Sequence, residues 1–178
     1  MLIRVIRKED VKMADNKSKI LVVYYSLEGN TRMIANSIAE VSGGSVLELV
    51  PRKDINPNGF TKFLKGGKQV FTKDIPELVP NGIKPEEFEI LFIGTPVWAW
   101  SFAPAIRAFF TNNKLKGKKI ALFSCNGGNN GKTFENMKEM LEGNEFLGEI
   151  EFLEPLKNDK EKNIGLAEKW AGEMLSKT

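Results

Sequence analysis

Apolar runs and amphipathic segments alternate along this chain from residue 19 to its end. The apolar runs predict five β-strands, over residues 20–25, 45–49, 89–95, 119–123 and 149–153. The segments between and after them have helical periodicity, over residues 30–41, 60–71, 104–111, 133–141 and 159–176. Strands that alternate with helices form parallel β-α-β units, so the pattern predicts an α/β fold.

The predicted sheet is open and doubly wound, with helices on both faces. The first, third and fourth strands are continuously apolar, as parallel strands buried on both faces are. The fifth strand alternates apolar and acidic residues, which suits a strand at the edge. We predict one domain over residues 19–178, preceded by an extension over residues 1–18. Either this extension is ordered, or Met13 is the native start and the residues before it do not belong to the native chain.

Ligands of such sheets bind beyond the carboxyl ends of the strands, which directs attention to three loops. The loop after the first strand consists of Ser26, Leu27, Glu28, Gly29, Asn30 and Thr31. Hydroxyls, an amide and the N–H groups of a helix start can together surround a phosphate. The alternative is that Asn30 or Thr31 only caps the helix.

The loop after the third strand is aromatic. It contains Pro96, Val97, Trp98, Ala99 and Trp100. Exposed aromatic side chains at a strand end are costly, so they cover a flat ligand or pack on one another. The alternative is a hydrophobic lid over the helix that begins near Pro104.

The loop after the fourth strand is rich in glycine and amide side chains. It begins with Ser124, Cys125, Asn126, Gly127 and Gly128. Glycines let a backbone approach a ligand closely, and an asparagine offers both a donor and an acceptor. A plain turn is the alternative for this loop, and a small buried side chain is the expected role of Cys125.

Composition excludes several function classes. The chain has no histidine and one cysteine, which removes histidine-based catalysis, cysteine-rich metal sites and an internal disulfide. The single cysteine indicates a reducing compartment, for which we expect the cytoplasm. No apolar run approaches the ~20 residues of a membrane span. Net charge is +3, of which residues 1–18 carry +2, so the nearly neutral body gives no indication of nucleic-acid binding.

Three motifs in chain order carry a family resemblance: SLEGNT at 26–31, GTPVWAW at 94–100 and SCNGG at 124–128. Together they resemble the flavodoxin family, over residues 19–178, and the resemblance implies a flavodoxin-like five-stranded parallel sheet with strand order 2-1-3-4-5. The resemblance implies non-covalently bound flavin mononucleotide (FMN) and electron transfer with redox partner proteins. It also implies that Ser26, Asn30 and Thr31 hold the phosphate of FMN.

The resemblance further implies that Trp98 and Trp100 flank the flavin ring. Backbone groups around Asn126 would bind its pyrimidine edge. Members of the family commonly have a glycine near the ring where Ala99 stands here, and a positive φ at an alanine costs about 1–2 kcal/mol.

Other readings of the same residues remain open. An FMN-dependent NAD(P)H:quinone reductase would use the same three loops, as would a flavin-binding regulatory protein without turnover. A more distant alternative is a P-loop ATPase, because residues 126–133 read NGGNNGKT. Asn126 occupies the place of the first glycine of that motif. The physiological electron donor and acceptor, one- or two-electron chemistry and the oligomeric state remain open.

Overall fold

Parallel strands form the central sheet of the protein. The computed structural model describes residues 19–55, 67, 70 and 72–178, and the predicted extension over residues 1–18 lies outside them. Within this part of the chain the strands are β1 (Ile20–Tyr24), β2 (Ser45–Glu48), β3 (Ile90–Trp98), β4 (Ser101–Phe102), β5 (Lys119–Asn126) and β6 (Glu145–Leu153). The order β2-β1-β3-β5-β6 confirms the predicted order 2-1-3-4-5 for the long strands. The predicted edge strand, β6, lies at an edge.

Helices cover both faces of the sheet, as predicted. They are α1 (Asn30–Ser42), α2 (Pro104–Asn112), α3 (Thr133–Met140) and α4 (Lys160–Leu175), with a short 3-10 turn at Pro85–Glu87. The predicted helix over residues 60–71 lies outside the described residues apart from Gly67 and Val70, which are helical. None of the described helices has the length and apolar character needed to cross a membrane.

Successive residues of β1 alternate between two hydrophobic clusters. Leu21 and Val23 belong to the cluster that α2 and α3 cover, whereas Val22 lies in the cluster under α1 and α4. All three side chains are fully buried. The second cluster includes an edge-to-face contact between Phe92 of β3 and Trp170 of α4, with ring centroids 5.7 Å apart. This two-sided burial explains why the inner strands have continuous apolar runs.

Strands β3 and β5 each run three residues further than the sequence predicts. The prediction ended β3 before Pro96, and proline lacks the N–H that a central strand donates. In the structure β1 ends opposite Gly94, so the last part of β3 has lost its neighbour on that side. Its pairing with β5 continues to Pro96 and Cys125. The segment 96–98 and the segment 124–126 are therefore strand rather than loop.

Gly94 lies in the middle of the sheet, where there is no room for a side chain. A Cβ added there would lie 2.1 Å from the ring of Phe123, which is fully buried. We expect Gly94→Ala to lower the free energy of unfolding by about 1–3 kcal/mol, because the ring must move in a close-packed core.

Gly165→Ala in α4 is the matched control, since a Cβ at this position meets nothing within 4 Å. We expect it to be neutral or to stabilise by up to about 1 kcal/mol. Urea unfolding followed by far-ultraviolet circular dichroism measures both variants. Equal effects of the two substitutions would contradict the packing argument.

Candidate functional site

A cavity of about 640 Å³ opens at the carboxyl ends of β1, β3, β5 and β6. Its lining comprises Ser26, Leu27, Glu28, Asn30, Thr31, Gly67, Pro96, Val97, Trp98, Ala99, Trp100, Cys125, Asn126, Gly127, Asn129, Glu154 and Lys157. The three predicted loops thus meet around one space of the size of a small-molecule site. Of the predicted site residues, Gly29, Ser124 and Gly128 do not line the cavity. Gly29 and Gly128 donate their N–H groups to Ser26 and Asn126, which do line it.

The turn between β1 and α1 holds the start of the helix open toward the cavity. Gly29 has φ +93° and donates its N–H to Oγ of Ser26 at 3.1 Å. The first intrahelical bond runs from the N–H of Met33 to the carbonyl of Gly29 at 3.0 Å. The N–H groups of residues 30–32 therefore precede the helical ladder. No side chain caps α1, so the alternative in which Asn30 or Thr31 acts only as a cap does not describe this turn.

Thr31 carries the clearest sign of a missing partner. Its side chain is 1% exposed, and its Oγ1 forms no hydrogen bond with any described residue. A buried hydroxyl without a partner costs about 1–3 kcal/mol. Its neighbour in the cavity wall is the Cys125 thiol, whose pKa is raised by burial and lowered by side-chain hydrogen bonding from the Thr31 hydroxyl, but the two groups lie outside the geometry of a regular hydrogen bond. The threonine hydroxyl is thus available to a ligand in the cavity.

The predicted aromatic loop is mostly strand and a two-residue turn. β3 and β4 form a hairpin in which Trp98 faces Ser101, and the turn residues Ala99 and Trp100 have φ +46° and +61°. Two positive φ values define a type I′ turn, which usually contains asparagine and glycine because other side chains are strained there. The positive φ considered for Ala99 from the sequence is therefore already present in this structure.

The two tryptophans of the hairpin have different surroundings. Trp98 packs against the core and meets Tyr25 edge to face, with ring centroids 5.6 Å apart. Trp100 is 69% exposed at the tip. Only Trp98 therefore has the fixed position that a wall of a binding site requires, and Trp100 forms the outer rim.

The loop after β5 fastens the hairpin tip. The N–H of Lys132 donates to the carbonyl of Trp100 at 3.0 Å, and Asn136 donates to Oγ of Ser101 at 2.9 Å. A Cβ at Gly131 would lie 2.5 Å from Cβ of Trp100, so only glycine allows this approach. The contacts hold a strained turn that the local sequence does not favour.

Amide side chains occupy the donors within the loop after β5. The N–H of Gly128 donates to Oδ1 of Asn126 at 3.0 Å, and the N–H of Gly131 donates to Oδ1 of Asn129 at 2.6 Å. Below them, Ser124 donates to Oδ1 of Asn130 at 2.6 Å. A P-loop binds phosphate through such N–H groups, and those of Gly128 and Gly131 are occupied here, so the geometry does not favour the ATPase alternative.

The sequence prediction missed the loop after β6. Glu154 and Lys157 of this loop line the cavity, as do Gly67 and Asn129. The loop is fastened to the first turn by the N–H of Leu156, which donates to Oδ1 of Asn30 at 3.0 Å. The sequence could have indicated this loop, because it follows the fifth predicted strand and so lies at the same edge of the sheet as the other three loops.

Comparisons with known proteins agree with this fold. A family model described as Flavodoxin matches residues 19–148. Among solved structures, a flavoprotein in complex with FMN from Lactobacillus acidophilus NCFM is similar, with TM-score 0.66 and 24% identity over 80% of this chain and 97% of that one. A proposed flavoprotein from Bacteroides uniformis ATCC 8492 gives TM-score 0.70 and 19% identity, over 86% and 97% of the two chains. Oxidised Flavodoxin 2 from Bacillus cereus gives 0.55 and 18%, over 90% and 99%. At these identities the likeness to solved structures shows the fold.

Cys125 is expected to be unreactive in the folded protein. It is 5% exposed, and burial raises the pKa of its thiol from 9.0 to about 12, a rise that the Thr31 hydroxyl offsets only in part. At pH 8 the native thiol should therefore react with a disulfide reagent at least about a hundredfold more slowly than the unfolded chain does. As this is the single cysteine, the signal is unambiguous.

The raised pKa of the Cys125 thiol also makes the stability of the folded protein depend on pH. The folded state keeps the thiol proton above pH 9, where the unfolded chain loses it, so this group's contribution to stability is lost between about pH 9 and pH 12. Rapid modification of the Cys125 thiol in the native protein at pH 8 would contradict its burial and its raised pKa.

Proposed function

Since the chain belongs to the flavodoxin family, we propose that it binds FMN non-covalently in this cavity and carries electrons between redox partners. The unpartnered hydroxyl of Thr31 carries the proposal, because it is buried in the cavity wall beside a helix start. A ligand with a phosphate supplies the acceptor that this hydroxyl lacks.

The first turn suits the phosphate end of FMN. The N–H groups at the start of α1 and the hydroxyls of Ser26 and Thr31 are all donors, and the positive end of the helix dipole favours an anion. Oδ1 of Asn30 already accepts from Leu156, which orients the asparagine so that its amide donors remain for the ligand. Charge-assisted hydrogen bonds of this kind are stronger than neutral ones.

The hairpin and the loop after β5 suit the ring end. Trp98 is positioned by its contact with Tyr25 and the core, and Trp100 rims the opening. Asn126 and Gly127 also line the cavity, and Gly127 can offer only its backbone groups there. An aromatic wall together with backbone donors and acceptors suits a flat heterocycle with polar edges.

FMN supplies the redox chemistry when it is bound, and the protein sets its orientation and its access to solvent. The chain contains no histidine, and no side chain of the cavity is required to act as an acid or a base. We infer a role as a carrier that exchanges electrons with partner proteins, working in the cytoplasm, as the single cysteine first suggested.

The decisive experiment is a visible spectrum of the purified full chain, followed by release and identification of the cofactor. Absorption bands of oxidised flavin and release of FMN are the expected result. A colourless protein that does not take up added FMN would overturn the proposal.

The same preparation separates a carrier from an enzyme. A carrier is reduced by NAD(P)H only when a separate reductase is present. Rapid oxidation of NAD(P)H with a quinone by the holoprotein alone would favour the quinone reductase instead.

Thr31→Val tests the phosphate subsite through two effects of opposite sign. Without ligand, the valine removes an unpaired buried hydroxyl, so the apoprotein should be as stable as the unaltered protein or more stable by about 1 kcal/mol. FMN should bind about tenfold more weakly, because one donor to the phosphate is lost.

Thr31→Ser, which keeps the hydroxyl, is the matched control and should retain most of the affinity. Thermal unfolding of the apoprotein and titration with FMN measure the two effects. An unchanged FMN affinity in Thr31→Val would remove the threonine from the phosphate subsite.

A further inference from the structure

The charged side chains around the cavity do not favour an anionic ligand such as the phosphate of FMN. Among the described residues that line it, Glu28 and Glu154 are acidic, and Lys157 is the basic one. A phosphate that carries two negative charges would therefore meet two carboxylates at the same opening. Like charges around one opening repel each other, and the repulsion is greatest at low salt.

Arg32, the basic residue nearest to the first turn in the sequence, does not correct this balance. Its guanidinium forms a salt bridge with Glu48 at 2.5 Å and a second contact with the same carboxylate at 3.2 Å. It is absent from the cavity lining. Among the described residues that line the cavity, Lys157 is therefore the one that can bring a positive charge to the ligand.

Lys157 is held beside the phosphate-binding turn by its neighbour in the chain. The N–H of Leu156 donates to Asn30, and the Leu156 side chain lies 3.4 Å from where a Cβ of Gly29 would stand. The loop after β6 therefore packs directly on the turn. Glu154, by hydrogen bond and charge, and then Glu28, by charge, raise the pKa of Lys157, so the ammonium stays protonated at neutral pH.

Lys157 forms an exposed ion pair with Glu154, and such a pair is weak. Its Nζ forms an ion pair with Glu154, three residues earlier, and the lysine side chain is 71% exposed. Exposed ion pairs contribute little to stability, so an exchange of partner costs little. A buried pair such as an internal lysine–carboxylate would not be free to do this.

We propose that Lys157 is the counter-ion of the FMN phosphate, and that it exchanges its ion pair with Glu154 for one with the phosphate when FMN binds. This inference rests on the proposed function, because it names the charge that completes the same site. It assigns a specificity for phosphorylated over unphosphorylated flavin to the loop after β6. Glu154 is then the competitor that holds the lysine in place when the cavity contains no ligand.

The test compares FMN with riboflavin, which has the same ring and no phosphate. The full chain, freed of flavin, is titrated at low ionic strength, and binding is followed by quenching of flavin fluorescence. Lys157→Gln should weaken FMN binding about three- to tenfold and leave riboflavin binding unchanged. Moderate salt should reduce the difference between the two proteins, because salt screens an exposed pair.

Three further variants separate charge from structure. Lys157→Arg keeps the charge and should retain the FMN affinity. Lys160→Gln removes an exposed charge of α4 that does not line the cavity, and should change neither flavin. Glu154→Gln removes the competitor and should strengthen FMN binding about two- to fivefold, opposite in sign to Lys157→Gln.

The outcomes distinguish this inference from the proposed function. If the unaltered protein binds FMN and Lys157→Gln binds it equally well, the counter-ion assignment is wrong and the proposed function stands. Equal weakening of FMN and riboflavin would also overturn the assignment, since it indicates a structural role of the lysine. If the unaltered protein binds neither flavin, the proposed function fails and the counter-ion assignment fails with it.

Discussion

The pairing of β3 with a neighbour on each side determines where everything else in this protein lies. Between Ile90 and Gly94 the strand is hydrogen-bonded to β1 and β5 at once. At Gly94 the β1 side is released, and the strand continues beside β5 and turns into the hairpin. This one-sided extension separates the first turn from the aromatic rim and so opens the cavity between them.

Hydrophobic periodicity was sufficient to predict the fold class. The helices on both faces and the edge position of β6 follow from runs that are apolar on two faces or on one, whereas the order of the long strands came from the family resemblance. The lengths of β3 and β5 did not follow, because Pro96 and Ser124 are turn-forming in isolation and strand-forming only when paired. Pairing is a tertiary property that a single segment does not contain.

The site was predictable to the extent that its chemistry lies in contiguous residues. The first turn combines its hydroxyls, glycine and helix start within six residues, and its geometry matches that pattern. The hairpin lacks the usual asparagine–glycine signal, since its turn residues are Ala99 and Trp100. Its conformation is imposed from outside by Gly131 and Lys132, and a sequence window around the hairpin contains neither.

The bond between the Leu156 N–H and Asn30 joins positions 126 residues apart. During synthesis, β1 and α1 leave the ribosome early, whereas the segment that closes the first turn follows only after β6 has been made. Contacts of such separation form late, because the intervening chain must first be ordered. The nascent protein therefore acquires its sheet before its complete cavity. A chain arrested before residue 156 would have the helix start without the loop that secures it.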